Sequence, residues 1–180
     1  MSIRPDGTVV DDFPTSEKLK DYNKIRSKAE ALYQTFTKIH CPAFNATLKT
    51  SDKEVHFTSE GFNHIIYRIK KQERDKRAQI MRFELLERAR ELLQKTNTIQ
   101  EYEEYYCEIK KQVRKEAVMA KVKVRDWGFV GIINSYRIKV VVRQIGSGER
   151  KFHSVIPAWE TKYYHQVKFI RNTKGNVADD

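Results

Sequence analysis

The sequence predicts an α+β fold in which a helical N-terminal half packs on a four- or five-stranded antiparallel sheet. Three observations carry this expectation. Apolar residues recur at steps of three and four as far as Ala120 and at steps of two after it. The later apolar runs are separated by Asp126-Trp127-Gly128, Ser135-Tyr136 and Gly146-Ser147-Gly148, which are short enough for an antiparallel meander. A chain of 180 residues suffices for a domain with a substantial core, or for a compact domain with a helical extension.

In chain order, residues 1–15 contain Pro5, Gly7 and Pro14 and read as a flexible tail with a brief extended contact at 8–10. A helix fits 16–40, where Leu19, Tyr22, Ile25, Ala29, Leu32, Phe36 and Ile39 form an apolar stripe. Ser16 suits its cap and Pro42 its end, so 16–50 reads as a helical extension. The domain proper is expected over 51–172. It opens with a short strand at 54–58, and Thr58 or Ser59 then caps a helix that buries Phe62, Ile65, Ile66 and Ile69. His64 and Arg68 are four apart and share the opposite face. Helices follow over 79–94 and, after Thr96-Asn97-Thr98, over 99–120. Strands are expected at 122–124, 129–135, 138–145 and 152–157. Ile138, Val140 and Val142 then face the helices, while Lys139, Val141 and Arg143 form an exposed basic face. Residues 163–171 read as a last strand or a short helix, and 173–180 as a second flexible tail.

The net charge is +11 and is unevenly placed: from Lys121 to Lys174, 12 Lys and Arg stand against Asp126, Glu149 and Glu160. A basic sheet of this kind concentrates polyanions and points first to nucleic acid. Cys41 and Cys107 form neither a disulfide framework nor a recognisable zinc site. The first residues lack the pattern of a secretory signal, and no apolar run reaches the roughly 20 residues that span a bilayer, so the chain reads as cytoplasmic with no membrane partner. Gly146-Ser147-Gly148 lacks the lysine and helix of a nucleotide loop, and no acidic cluster is spaced for magnesium. No metal and no cofactor are expected.

For a protein that handles RNA, the simplest metal-independent chemistry uses the 2′-OH as nucleophile. A base takes its proton, an acid protonates the departing 5′ oxygen, and cations hold the charge that develops on phosphorus. Histidine suits both proton transfers, and arginine suits the phosphate. The chain offers these types in two clusters: His56, His64 and Arg68 at the strand-to-helix junction, and Arg143, Arg150, His153 and Ser154 on the late hairpin. Alternation sets His153 and Ser154 on opposite faces unless a bulge intervenes. Lys139, Arg150 and Lys151 are candidates to bind substrate, and Trp159 to stack a base or close the sheet edge.

The order HFTSEGFNHI opening a helix, more helix, then a basic meander ending RQIGSGERKFHSVIPAW resembles the phage and toxin nucleases of the barnase–EndoU–colicin–RelE (BECR) fold group. The resemblance covers 54–160. It implies a small α+β ribonuclease that cleaves tRNA or mRNA without metal, and a cognate antitoxin or immunity protein. Matched to its colicin D-like members, it selects His64 and Arg68 early and Arg143, Ser154 and Trp159 late. The chain departs from them in having no lysine immediately beside His64. The N-terminal stripe offers a face for a homodimer, for an antitoxin, or for packing within the chain, and the sequence leaves these open. Also open is a non-catalytic module that binds nucleic acid, or an accessory protein of a phage or mobile element that meets an acidic protein.

Overall fold

Thr15 caps the first helix, its hydroxyl accepting the Lys18 amide at 3.4 Å. In the computed structural model, which describes residues 2–3, 9–10, 14–48, 53–68, 72–113, 116–134, 136–157 and 168–169, the expected 16–40 helix is two pieces, α1 (Ser16–Lys20) and α2 (Tyr22–Gln34). It stops early because Thr37 takes a left-handed φ of 41°. That turn starts β3 (Lys38–His40), which is followed by α3 (Pro42–Leu48), β4 (Glu54–His56) and α4 (Ser59–Ile66). Next come α5 (Lys76–Glu84), α6 (Leu86–Lys95), β5 (Glu101–Val113), β6 (Glu116–Ile133), β7 (Tyr136–Ile145), β8 (Lys151–Pro157) and β9 (Lys168–Phe169). The N-terminal pairs β1 (Ser2–Ile3) and β2 (Val9–Val10) join each other antiparallel.

The fold is α+β, with the N-terminal helical region packed against a mixed sheet. Among the described residues this sheet has seven strands in the order β3-β4-β8-β7-β6-β5-β9, more than the four or five expected. Two misread stretches account for most of the excess. Residues 99–120, read as helix, form β5 and the start of β6. Their tyrosines and β-branched residues satisfy a two-residue period: Glu103, Tyr105, Cys107 and Ile109 lie on one face, and Tyr102, Glu104, Tyr106 and Glu108 on the other. Residues 38–40 leave the helix to pair with β4. All neighbours are antiparallel except β4 and β8, which meet in parallel at His56 and Lys151.

Asp126-Trp127-Gly128 is likewise no turn but the middle of β6. A Cβ at Gly128 would lie 2.7 Å from Glu101 Oε2, so the bare backbone lets the Glu101 carboxylate cross β6 to Lys139 on β7. On the opposite face Trp127, Phe129, Ile138, Val140, Val142 and Phe152 meet the helices in a single hydrophobic cluster. Tyr22, Ala29, Phe36 and Ile39 of the N-terminal stripe are buried in that same cluster, with Tyr33 of α2 beside them. Among the described residues no helix is long and apolar enough to cross a membrane.

The helical layer and the sheet come close together at Gly61 in α4. A Cβ there would lie 2.4 Å from the Phe152 carbonyl oxygen and 2.4 Å from Tyr33 Oη, whose hydroxyl donates to the Thr58 carbonyl at 3.0 Å. Alanine normally stabilises a helix interior over glycine by roughly 0.5–1 kcal/mol. Gly61→Ala is expected to do the reverse, lowering stability by about 1–3 kcal/mol because α4 must move off β8. Urea denaturation measures this, with Asn63→Ala on the exposed face of α4 as the near-neutral control.

Candidate active site

β8 carries a bulge. Val141 stands opposite Ser154 and Val142 opposite Phe152, so His153 is the extra residue. The bulge reconciles two demands: Phe152 and Val155 both reach the core, and the residue between Phe152 and Ser154 is pushed toward α4. One turn beyond Gly61, the ring of His64 meets that of His153 with centroids 4.0 Å apart, tilted by 53°. Two histidines that lie 89 positions apart thus form one pair.

Arg143 stands beside the pair. Its Nε donates to Asp126 Oδ1 at 2.7 Å and its Nη2 to Oδ2 at 2.6 Å, a two-point grip across the β6–β7 ladder, where the two residues are register partners. Burial works against the Arg143 charge, but these bonds and the carboxylate outweigh it and raise its pKa. Arg74 arrives by a tight reversal after α4: Tyr67 bridges to Glu73, the Arg74 amide donates to the Ile66 carbonyl at 2.8 Å, and Arg74 Nε donates to the His64 carbonyl at 3.3 Å. Buried Gln79 fixes the reversal by donating to the Arg74 carbonyl at 2.7 Å. His153 and Arg143 line a cavity of about 320 Å³ together with Glu60, Lys151, Gly148 and Glu149. Of these lining residues, Lys151 lies 3.6 Å from Glu60.

The electrostatics favour neutral imidazoles. Burial lowers the pKa of His153, and Arg143, His64 and Arg74 lower it further. Burial and Arg143 lower that of His64, with Glu60 partly opposing and Arg74 assisting. At neutral pH both rings therefore have a free nitrogen lone pair beside a fixed cation. That arrangement can accept a proton from a hydroxyl held near an anion.

The other expected residues are placed elsewhere. Arg68 does not share a helix face with His64, because α4 ends at Ile66 and Arg68 follows an extended Tyr67. Ser154 is buried on the sheet face of Arg143 but does not line the cavity. His56 stands in β4 with a ring nitrogen 3.8 Å from each of Glu54 and Glu149. The exposed basic face fails at Lys139, which is 2% exposed and ion-paired with Glu101. Arg150, expected to bind substrate, lies on the core side with its guanidinium 4.5 Å from the Phe44 ring centre and 5.5 Å from that of Trp127. Only Lys151 of the expected substrate lysines reaches the cavity. Trp159 lies outside the described residues.

Sequence reasoning missed Asp126, Arg74 and Glu60. For Glu60 a signal was present, since it precedes His64 by four positions on the same helix face. Among the described residues no three His, Cys, Asp or Glu are grouped to hold a metal ion. We find no match to the chain among protein families, among curated proteins or among solved structures.

The lowered histidine pKa values fix a pH dependence of stability. Below about pH 6.5 the unfolded chain binds protons on these histidines that the folded chain resists. Stability is therefore complete above that pH and is lost as pH falls, by up to about 1.4 kcal/mol per pH unit for each histidine. Urea midpoints measured between pH 7.5 and 5 are expected to drop steeply for the native chain and less steeply for His153→Gln.

Proposed function

We propose that the protein is a metal-independent endoribonuclease, a toxin-like or mobile-element enzyme that cleaves RNA by attack of a 2′-OH on the adjacent phosphate. The observation that carries this reading is the contact between two histidines depressed toward the neutral form, beside Arg143 at the edge of an open cavity. In this reading one histidine takes the 2′-OH proton. The phosphate's negative charge offsets Arg143 and Arg74, so the other histidine becomes protonated and returns a proton to the 5′ oxygen. Asp126 holds one edge of the Arg143 fork and leaves Nη1 for a phosphate oxygen, with Lys151 as a second cation. The meander β5–β8 then corresponds to the four-stranded antiparallel sheet of the BECR fold group, with β3, β4 and β9 added to its edges. A toxin of this kind takes tRNA or mRNA as substrate and an antitoxin or immunity protein as partner.

A second reading is a binding module that turns nothing over. The two-point grip of Asp126 favours it, because a guanidinium already satisfied on one edge gains less from a phosphate.

Incubating the purified protein with total tRNA, ribosomes and synthetic RNA in EDTA separates the two. The expected outcome is a 2′,3′-cyclic phosphate product, with rates lowered about 10²- to 10⁴-fold by His64→Ala and by His153→Ala. Arg143→Ala weakens binding as well as rate. Cleavage undiminished in both histidine variants removes the pair from the mechanism. Cleavage that stops in EDTA and returns with magnesium overturns the mechanism, and binding without cleavage selects the second reading.

A further inference from the structure

β7 meets only the second part of β6, from Val124 to Ile133. From Tyr106 opposite Lys123 to Val113 opposite Glu116, eight further residue pairs of β5 and β6 continue past the end of β7. Among the described residues they pair with no third strand, and at about 3.4 Å per residue they form an arm of ~27 Å. An isolated two-stranded ribbon is marginal in water. This one nonetheless exposes Tyr106 (57%) and Met119 (53%), and the sequence from 105 to 123 carries six Lys and Arg against two Glu.

The charge is organised. Tyr106, Lys110, Lys121 and Lys123 share one face of the ribbon, and the ammonium groups of Lys121 and Lys123 lie 5.4 and 5.6 Å from the centre of the Tyr106 ring. Lys123 also pairs with Glu104 at 2.9 Å, which fixes the root of the arm. Both lysines flank the exposed Tyr106 ring, and Lys110 lies further out on the same face beyond Glu108, which stands opposite Lys121. An acidic protein would need the charge without the ring, whereas single-stranded nucleic acid uses both.

We propose that the arm is a second RNA-contacting surface, which takes single-stranded RNA with its phosphates on Lys110, Lys121 and Lys123 and a base stacked on Tyr106. The proposal rests on the reading of RNA as the ligand of the histidine site, and adds a surface that site does not include. The two are neighbours: the Gly146 amide donates to the Lys123 carbonyl at 2.7 Å, so the turn that leads to Gly148 and Glu149 at the cavity lies against the arm's root. Lys123 and Tyr106 lie on the sheet face opposite Arg143 and Ile145, so a strand that engages both sites passes round the sheet edge at this turn.

The test uses the full chain and a labelled 2′-O-methyl oligouridine, which lacks the nucleophile and cannot be cleaved. In fluorescence anisotropy, the combined Lys110→Glu, Lys121→Glu and Lys123→Glu variant is expected to bind at least tenfold more weakly. Its salt dependence should be shallower by about 2 in log–log slope. Tyr106→Ala alone should cost about tenfold. A dinucleotide substrate, too short to reach the arm, should be cleaved by both variants at the native rate. Affinity indifferent to the charge reversal, or no binding of the oligonucleotide at all, overturns the arm. So does a reversal that changes only the solution mass, from dimer to monomer, since the arm then serves self-association. Binding lost with the reversal in a protein that cleaves no RNA keeps the arm and removes the ribonuclease reading.

Discussion

The contact between α4 and β8 at Gly61 sets the distance on which the site depends. A helix normally keeps its neighbours at side-chain distance. Here the helix backbone comes directly against the Phe152 carbonyl, because nothing projects from Gly61, and Tyr33 closes the gap from α2 with a hydroxyl bonded to the residue that precedes α4. Phe57, Phe62 and Phe152 pack round the Tyr33 ring with centroids 5.3–5.8 Å away, so the approach is supported from α4, from β8 and from the segment that joins β4 to α4. The bulge of β8 does the complementary work from the sheet side, turning His153 out toward α4 while Phe152 and Val155 stay in the core. A helix of ordinary stand-off would leave His64 and His153 as two separate surface residues.

The basic character of the chain is managed differently at different depths. Inside, each cation is matched locally: Lys139 by Glu101, Arg150 by the faces of Phe44 and Trp127, and Arg82 by the Val155 carbonyl, to which its Nη1 donates at 2.5 Å. At the cavity the matching is partial, with Asp126 serving one edge of Arg143 and Glu60 facing Lys151. Out on the ribbon Lys110 and Lys121 are exposed, while Lys123 at the root is tied to Glu104.

Much of the fold was legible because apolar period and burial agree. The sequence placed Ile138, Val140 and Val142 against the helices, and they are fully buried there. It failed at 99–120, where glutamates and lysines at helical spacing mask a two-residue alternation of tyrosine with charge, and it ran the first helix past the left-handed Thr37. At the site, His64 and Arg143 stood out by residue type, and the bulge that brings in His153 was only one of two alternatives. Asp126 was hidden inside a tripeptide that looks like a turn, and Arg74 depends on a chain reversal held by the buried amide of Gln79. Lys139 and Arg150 were assigned to solvent because a basic residue on a strand carries no mark of its distant partner.

The passage that Gly128 opens for Glu101 has a consequence for the long hairpin. Its 13 residue pairs repeat every second position, so a shift of two residues would keep every side chain on its proper face and cost little in pattern. Such a shift would, however, carry the Glu101 carboxylate away from both the gap at Gly128 and the Lys139 ammonium, and parting a buried ion pair costs several kcal/mol. The pair therefore acts as a detent: one notch near the base of the hairpin fixes the alignment of every rung beyond it.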